Sequence, residues 1–196
     1  MALDGEFDSV LAAARTGASW ALAALYRGLH PAVLRYLRAQ EPGEGEDLAA
    51  DAWIDVASGL HRFDGAEDDF RRWVFTIARR RLIDHRRART RRRTAPVPAE
   101  DLVLLAGEGD TESEAVQALR VEAALARVAT LPPGQAEVVL LRVVGGFTAE
   151  EVGRIMGRRP GTVRVLQHRA LRALAARFEP GTVAAESRPG EPLVDS

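Results

Sequence analysis

The sequence predicts an all-α protein: two small helical domains joined by a flexible linker, the C-terminal one containing a helix-turn-helix. Apolar residues recur at three- and four-residue spacing through most of the chain, the period of a helix with one buried face. Long period-two alternation between turn residues, which would mark strands, is missing. Between residues 94 and 113 the texture changes: Pro96, Pro98, Gly107 and Gly109 interrupt it, and Glu100, Asp101, Glu108, Asp110 and Glu112 crowd in. The 196 residues divide into a domain over 1–93, a linker over 94–113, a second domain over 114–178 and a tail over 179–196. The tail is rich in Pro, Gly and acids and is expected to be disordered.

Phe7–Arg15 reads as a first amphipathic helix, with Phe7, Val10, Leu11 and Ala14 on one side, and Gly17 breaks it. Ser19 is placed to cap a second helix through Leu25, Tyr26 and Leu29. Pro31 is expected to start or kink the next piece, which carries Val33, Leu34 and Leu37. Residues 41–45 form a loop, residues 47–60 a helix, and residues 62–68 an acidic loop. A long helix follows from Phe70 to about Arg89 with Trp73, Val74, Ile77 and Leu82 inward. In the linker, Leu102, Val103, Leu104 and Leu105 make an apolar patch suited to docking on a partner or covering a neighbouring domain.

In the second domain a helix starts after Leu131-Pro132-Pro133 and ends at Gly145-Gly146. Thr148 and Glu151 are spaced as a capping box for the next helix, which holds Val152 and Ile155 and runs to about Met156. Gly157 supplies a tight turn, and a last helix begins at Gly161-Thr162. Val163, Leu166, Ala170 and Leu174 make its buried stripe, while Arg164, His168, Arg169 and Arg172 lie outside, with Arg158 and Arg159 in the turn. A short capped helix, a Gly turn and an Arg-bearing helix are the layout that places the second helix in the major groove. The bland alternative is a helical hairpin with solvated arginines.

The net charge of −1 conceals a segregation of charge. Residues 41–69 carry ten acids against one base, Arg62, and residues 71–93 carry eleven bases against one acid, Asp84. All 27 basic residues are Arg, whose planar fork suits phosphates and guanine edges. That density points to phosphate contact along the long helix. Asp47, Asp51 and Asp55 line one face of the acidic helix, where like charges repel by ~0.2–0.5 kcal/mol per pair unless a basic surface relieves them.

Cysteine is absent, which excludes disulfides, thiolate zinc sites and a Cys nucleophile. The N-terminus lacks a signal-peptide pattern, and no apolar run approaches the roughly 20 residues of a membrane span. A cytoplasmic protein without membrane insertion is expected. Four scattered histidines (His30, His61, His85 and His168) and acids one turn apart form neither a catalytic nor a metal-ligand cluster. The expectation is a non-enzyme that needs no cofactor.

Several stretches in their order resemble the extracytoplasmic-function group of bacterial sigma-70-family sigma factors: LYRGLHPAVLRYLR, GEDLAADAWIDVASGLHRFDG, FRRWVFTIARRRLIDHRRAR, LPPGQAEVVLLRVVGGFTAEEVGRIMG and GTVRVLQHRALRAL. The resemblance covers about residues 6–93 and 114–178. It implies a promoter-melting, region 2-like domain, a linker threading the RNA exit path, and a region 4-like reader of the −35 element. It implies that Asp47, Leu48, Asp51, Trp53, Ile54 and Val56 dock on the clamp helices of the core RNA polymerase. Arg62, Phe63, Asp64 and Phe70 would belong to the part capturing an unpaired base of the −10 element, and Arg71, Arg72, Arg80 and Arg87 would hold its strand. Arg158, Arg159, Thr162, Arg164, Val165, His168, Arg169 and Arg172 would meet the −35 element. The implied partners are core RNA polymerase, promoter DNA and an anti-sigma factor. Arg80 stands where many members have Asn, and Arg164-Val165-Leu166-Gln167 where many read Lys-Ser-Arg-Leu. The other reading of the residues is a stand-alone helix-turn-helix regulator whose N-terminal helices sense or dimerise.

Overall fold

The computed structural model describes residues 6–92 and 112–176, and among these every regular element is a helix. The first half holds α1 (Phe7–Arg15), α2 (Ser19–Arg38), α3 (Gly45–Gly59), a single 3-10 turn (Leu60–Arg62) and α4 (Glu67–Arg92). The second holds α5 (Glu112–Ala129), α6 (Pro133–Val143), α7 (Ala149–Met156) and α8 (Pro160–Ala176). The linker expected over 94–113 lies outside the described residues except for its last two positions, which already belong to α5. The tail over 179–196 and the apolar patch at residues 102–105 lie outside them too.

α1 lays Phe7, Val10, Leu11 and Ala14 onto the first half's core. Two local expectations fail on α2. Ser19 does not cap it, because the capping position falls on Ala18, which offers no side-chain oxygen. Pro31 does not start a separate helix, because α2 runs through it for 20 residues. A mid-helix proline costs about 3 kcal/mol. Leu25, Leu29, Val33, Tyr36 and Leu37 are all buried around it, and each buried apolar side chain returns roughly 1.5–3 kcal/mol, so packing prevails.

α2 and α3 meet at a turn that requires Gly45, where a Cβ would stand 2.8 Å from the Arg38 backbone. α3 buries Leu48, Ala49, Ala52 and Val56, and α4 crosses it with Phe70, Val74, Phe75, Ala78 and Leu82 inward. α4 begins three residues before Phe70, on Glu67, Asp68 and Asp69, acids that suit a helix N-terminus.

In the second half, Pro133 opens α6, where its missing N–H costs nothing. Gly146 takes a positive φ of 68° and turns the chain toward Phe147, which is wholly buried. The expected capping box forms: the Glu151 amide donates to Thr148 Oγ1 (3.2 Å) and the Thr148 amide to Glu151 Oε2 (2.7 Å). Gly157, at φ 64°, ends α7, and α8 buries Val163 and Ala170.

The two halves touch. Phe75 of α4 meets the Phe147 ring edge-on at 5.1 Å, and the Arg71 guanidinium lies 5.3 Å from the same ring's centre. Glu137 of α6 is 8% exposed and accepts from Tyr36 Oη (3.2 Å) and Arg79 Nε (2.7 Å). Burial and then the Glu137 charge push the Tyr36 hydroxyl far above its usual range, so it stays protonated and donates.

Candidate nucleic-acid interface

α7, the Gly157 turn and α8 form the helix-turn-helix, and its cationic side chains face outward. Arg158, Arg159, Thr162, Val165, His168, Arg169 and Arg172 are all exposed. Arg164 is exposed as well but is paired with Glu150 of α7, which fixes its guanidinium beside the N-terminus of the preceding helix. The face can therefore offer several Arg forks to phosphates and base edges without unfolding anything.

The arginines of α4 divide into two sets. Arg79 bonds Glu137, Arg81 makes a paired contact with Asp55, and Arg86 and Arg89 both grip the Glu41 carboxylate at 2.7 Å. Glu41 is 7% exposed at its side chain, so this clamp ties the end of α4 to the turn between α2 and α3. These four arginines hold the fold. Arg80 and Arg87 point outward, with side chains 83% and 71% exposed and Asp84 nearby at 3.9 and 3.6 Å. Arg71 and Arg72 are half-buried near the second half and pair with Asp68 and Asp69. The Arg72 hydrogen bond holds the Asp69 carboxyl below its usual range. Glu151 also lies low: burial raises it, but the Thr148 bonds and the charges of Arg71 and Arg72 more than offset this.

Ahead of α4, Arg62 and Asp64 are exposed, while Phe63 stacks on Trp73 at 5.0 Å. Phe70 has no exposed surface: it packs under Phe63 and Phe7 and is a core residue, not a DNA contact in this arrangement.

The acidic helix α3 is also sorted by burial. Asp47, Asp51 and Ile54 are exposed, Ile54 at 62%. Leu48 and Val56 are 5% and 2% exposed, so they anchor the helix in the core. Part of the charge repulsion along Asp47, Asp51 and Asp55 is relieved within the chain, because Arg81 binds Asp55 and stands 4.0 Å from Asp51. Sequence reasoning missed two residues here. Tyr26 and His30 of α2 stack at 4.3 Å and pack against Trp53, extending the apolar part of this face beyond α3. The signal was present in the α2 period, which puts Tyr26 off the stripe of Leu25 and Leu29.

The chain resembles known proteins along both halves. The sigma-70 region 2 family model matches residues 25–92, and the sigma-70 region 4 model matches residues 122–174. The ECF RNA polymerase sigma factor ShbA of Streptomyces griseus is 36% identical over 160 residues, 77% of this chain and 84% of that protein. The ECF RNA polymerase sigma factor SigD of Mycobacterium tuberculosis is 33% identical over 182 residues, 89% of this chain and 85% of that protein. Among solved structures, the sigma factor RpoE of Bartonella quintana, crystallised with the anti-sigma factor NepR, shares the fold with a TM-score of 0.66. That likeness covers 81% of this chain and 97% of the other at 20% identity.

Proposed function

We propose how this chain, a member of the extracytoplasmic-function (ECF) sigma factors of the sigma-70 family, divides promoter work among its surfaces. As a sigma factor it binds core RNA polymerase and directs promoter-specific initiation. The observation that carries the residue assignment is the sorting of charge by exposure. Asp47, Asp51 and Ile54 stand out on α3, Arg80 and Arg87 on α4, and the Arg face on α8.

In this reading α3 docks on a basic helical surface of the polymerase, with Asp47 and Asp51 steering and Ile54 and Trp53 making the apolar contact. Arg80 and Arg87 hold the backbone of the melted −10 strand, and the loop at Arg62, Phe63 and Asp64 receives a base taken from the stack, which costs a few kcal/mol. α8 reads the −35 element. The factor performs no chemistry of its own and works where the polymerase is, in the cytoplasm. Engaging both elements requires the halves to separate, because the elements are more than two turns of B-DNA apart, at 34–36 Å per turn. An anti-sigma partner spanning both halves would hold them together instead.

Charge reversal tests the assignment. Asp47→Arg with Asp51→Arg is expected to abolish binding to core polymerase while leaving the helical fold unchanged by circular dichroism. Undiminished polymerase binding by this variant would remove Asp47 and Asp51 from the polymerase contact.

A further inference from the structure

We infer that Val165 is a specificity-determining residue that recognises the 5-methyl group of a thymine in the −35 element. The inference rests on the assignment of α8 as the −35 reader and goes beyond it by naming the base.

α8 carries two opposed faces. Val163 and Ala170 are fully buried, with Leu166 and Leu174 half-buried beside them. At 3.6 residues per turn, Val165 sits about 160° from Val163, at the centre of the face turned away from its own domain. Thr162, Arg169, Arg172 and His168 flank it within about 60° on either side by the same geometry. Val165 is 50% exposed. The fold gains little from a valine there, and β-branched residues are mediocre helix formers.

Chemistry narrows what this side chain can recognise. It has no donor or acceptor, so phosphates and the polar base edges offer it nothing. The major groove presents one apolar group, the thymine methyl, and that group marks A·T from G·C and fixes the strand. Val165 lies in the first turns of α8, the part of a recognition helix that approaches base edges. The surrounding arginines bring the helix against the backbone and hold the register in which a methyl–methyl contact forms. Leu171, also half exposed, lies about 120° around the helix and further along it, away from this centre.

The test uses the full chain bound to core polymerase and promoter duplexes that this holoenzyme selects from a random-sequence pool. Each thymine of the −35 region is replaced in turn by uracil, which removes only the methyl. One position is expected to lose affinity three- to fivefold, roughly the worth of one buried methyl group. Val165→Ala should lose the same factor on the thymine duplex and show no further loss on uracil. Since Val165 is exposed, its removal should leave the melting temperature unchanged. A selected −35 region without thymine overturns the inference, as does a uracil effect that persists in Val165→Ala, or a Val165→Ala defect seen with polymerase alone. If the holoenzyme initiates specifically, those results sink the base assignment and leave the sigma reading standing. If it fails to initiate at all, both fall.

Discussion

Thr148 and Glu151 begin α7 with two reciprocal bonds, and their chemistry makes a local, pH-dependent contribution. Thr148→Ala is expected to cost about 1 kcal/mol in urea unfolding. The Glu151 carboxyl lies below its ordinary value of 4.5. A depressed carboxylate contributes stability that is present above the ordinary value and lost as pH falls through the lowered one. Glu151→Gln should therefore flatten the acid-side loss of stability below about pH 4.5 and change the neutral-pH slope little. Burial separates structural from docking side chains in the same way. Leu48→Ala is expected to cost ~2–5 kcal/mol and Phe70→Ala ~3–5 kcal/mol, so both would lose function by unfolding. Ile54→Asp should keep its stability within ~0.5 kcal/mol and weaken polymerase binding directly, measured by titration with labelled core enzyme.

Among the elements, α4 was legible in the sequence only in part. Its arginine density pointed to phosphate contact, and Arg80 and Arg87 are exposed as that reading needs. Four others are tied to Glu137, Asp55 and Glu41, acids 58, 26 and between 45 and 48 residues away, and no local spacing reveals such pairs. The two sets predict opposite phenotypes. Arg80→Ala and Arg87→Ala should each reduce the salt dependence of promoter binding by about 0.7 in the log–log slope, with stability intact. Glu41→Gln should leave the slope alone and cost about 2 kcal/mol, the scale of charge-assisted hydrogen bonds. The helix-turn-helix was legible almost residue by residue, because a capping box and a left-handed Gly are local signals. The Pro31 helix was not, because what carries it through is burial of Leu29 and Val33 against other elements. The burial of Leu48, Val56 and Phe70 was not legible for a related reason: a family pattern marks a position without saying which way its side chain faces.

At the scale of the whole molecule, Glu137 and the Phe75–Phe147 contact join the two halves in a closed arrangement. In the proposed reading, promoter engagement separates the halves. Glu137→Gln keeps an acceptor for Tyr36 but removes the charge that Arg79 pairs with, so it should enrich separated halves. The chain has no cysteine, so spin labels at Ser58→Cys and Leu171→Cys report that separation directly as longer distances. The same variant should bind core polymerase more tightly if opening limits association. The division of labour itself is tested most directly by reconstitution with core RNA polymerase on a random-sequence promoter library, reading the start sites. The transcribed templates should share two sequence elements at fixed spacing, and charge reversal at Asp47 and Asp51 should abolish initiation altogether. Start sites without shared elements, or initiation unaffected by that reversal, would contradict that division.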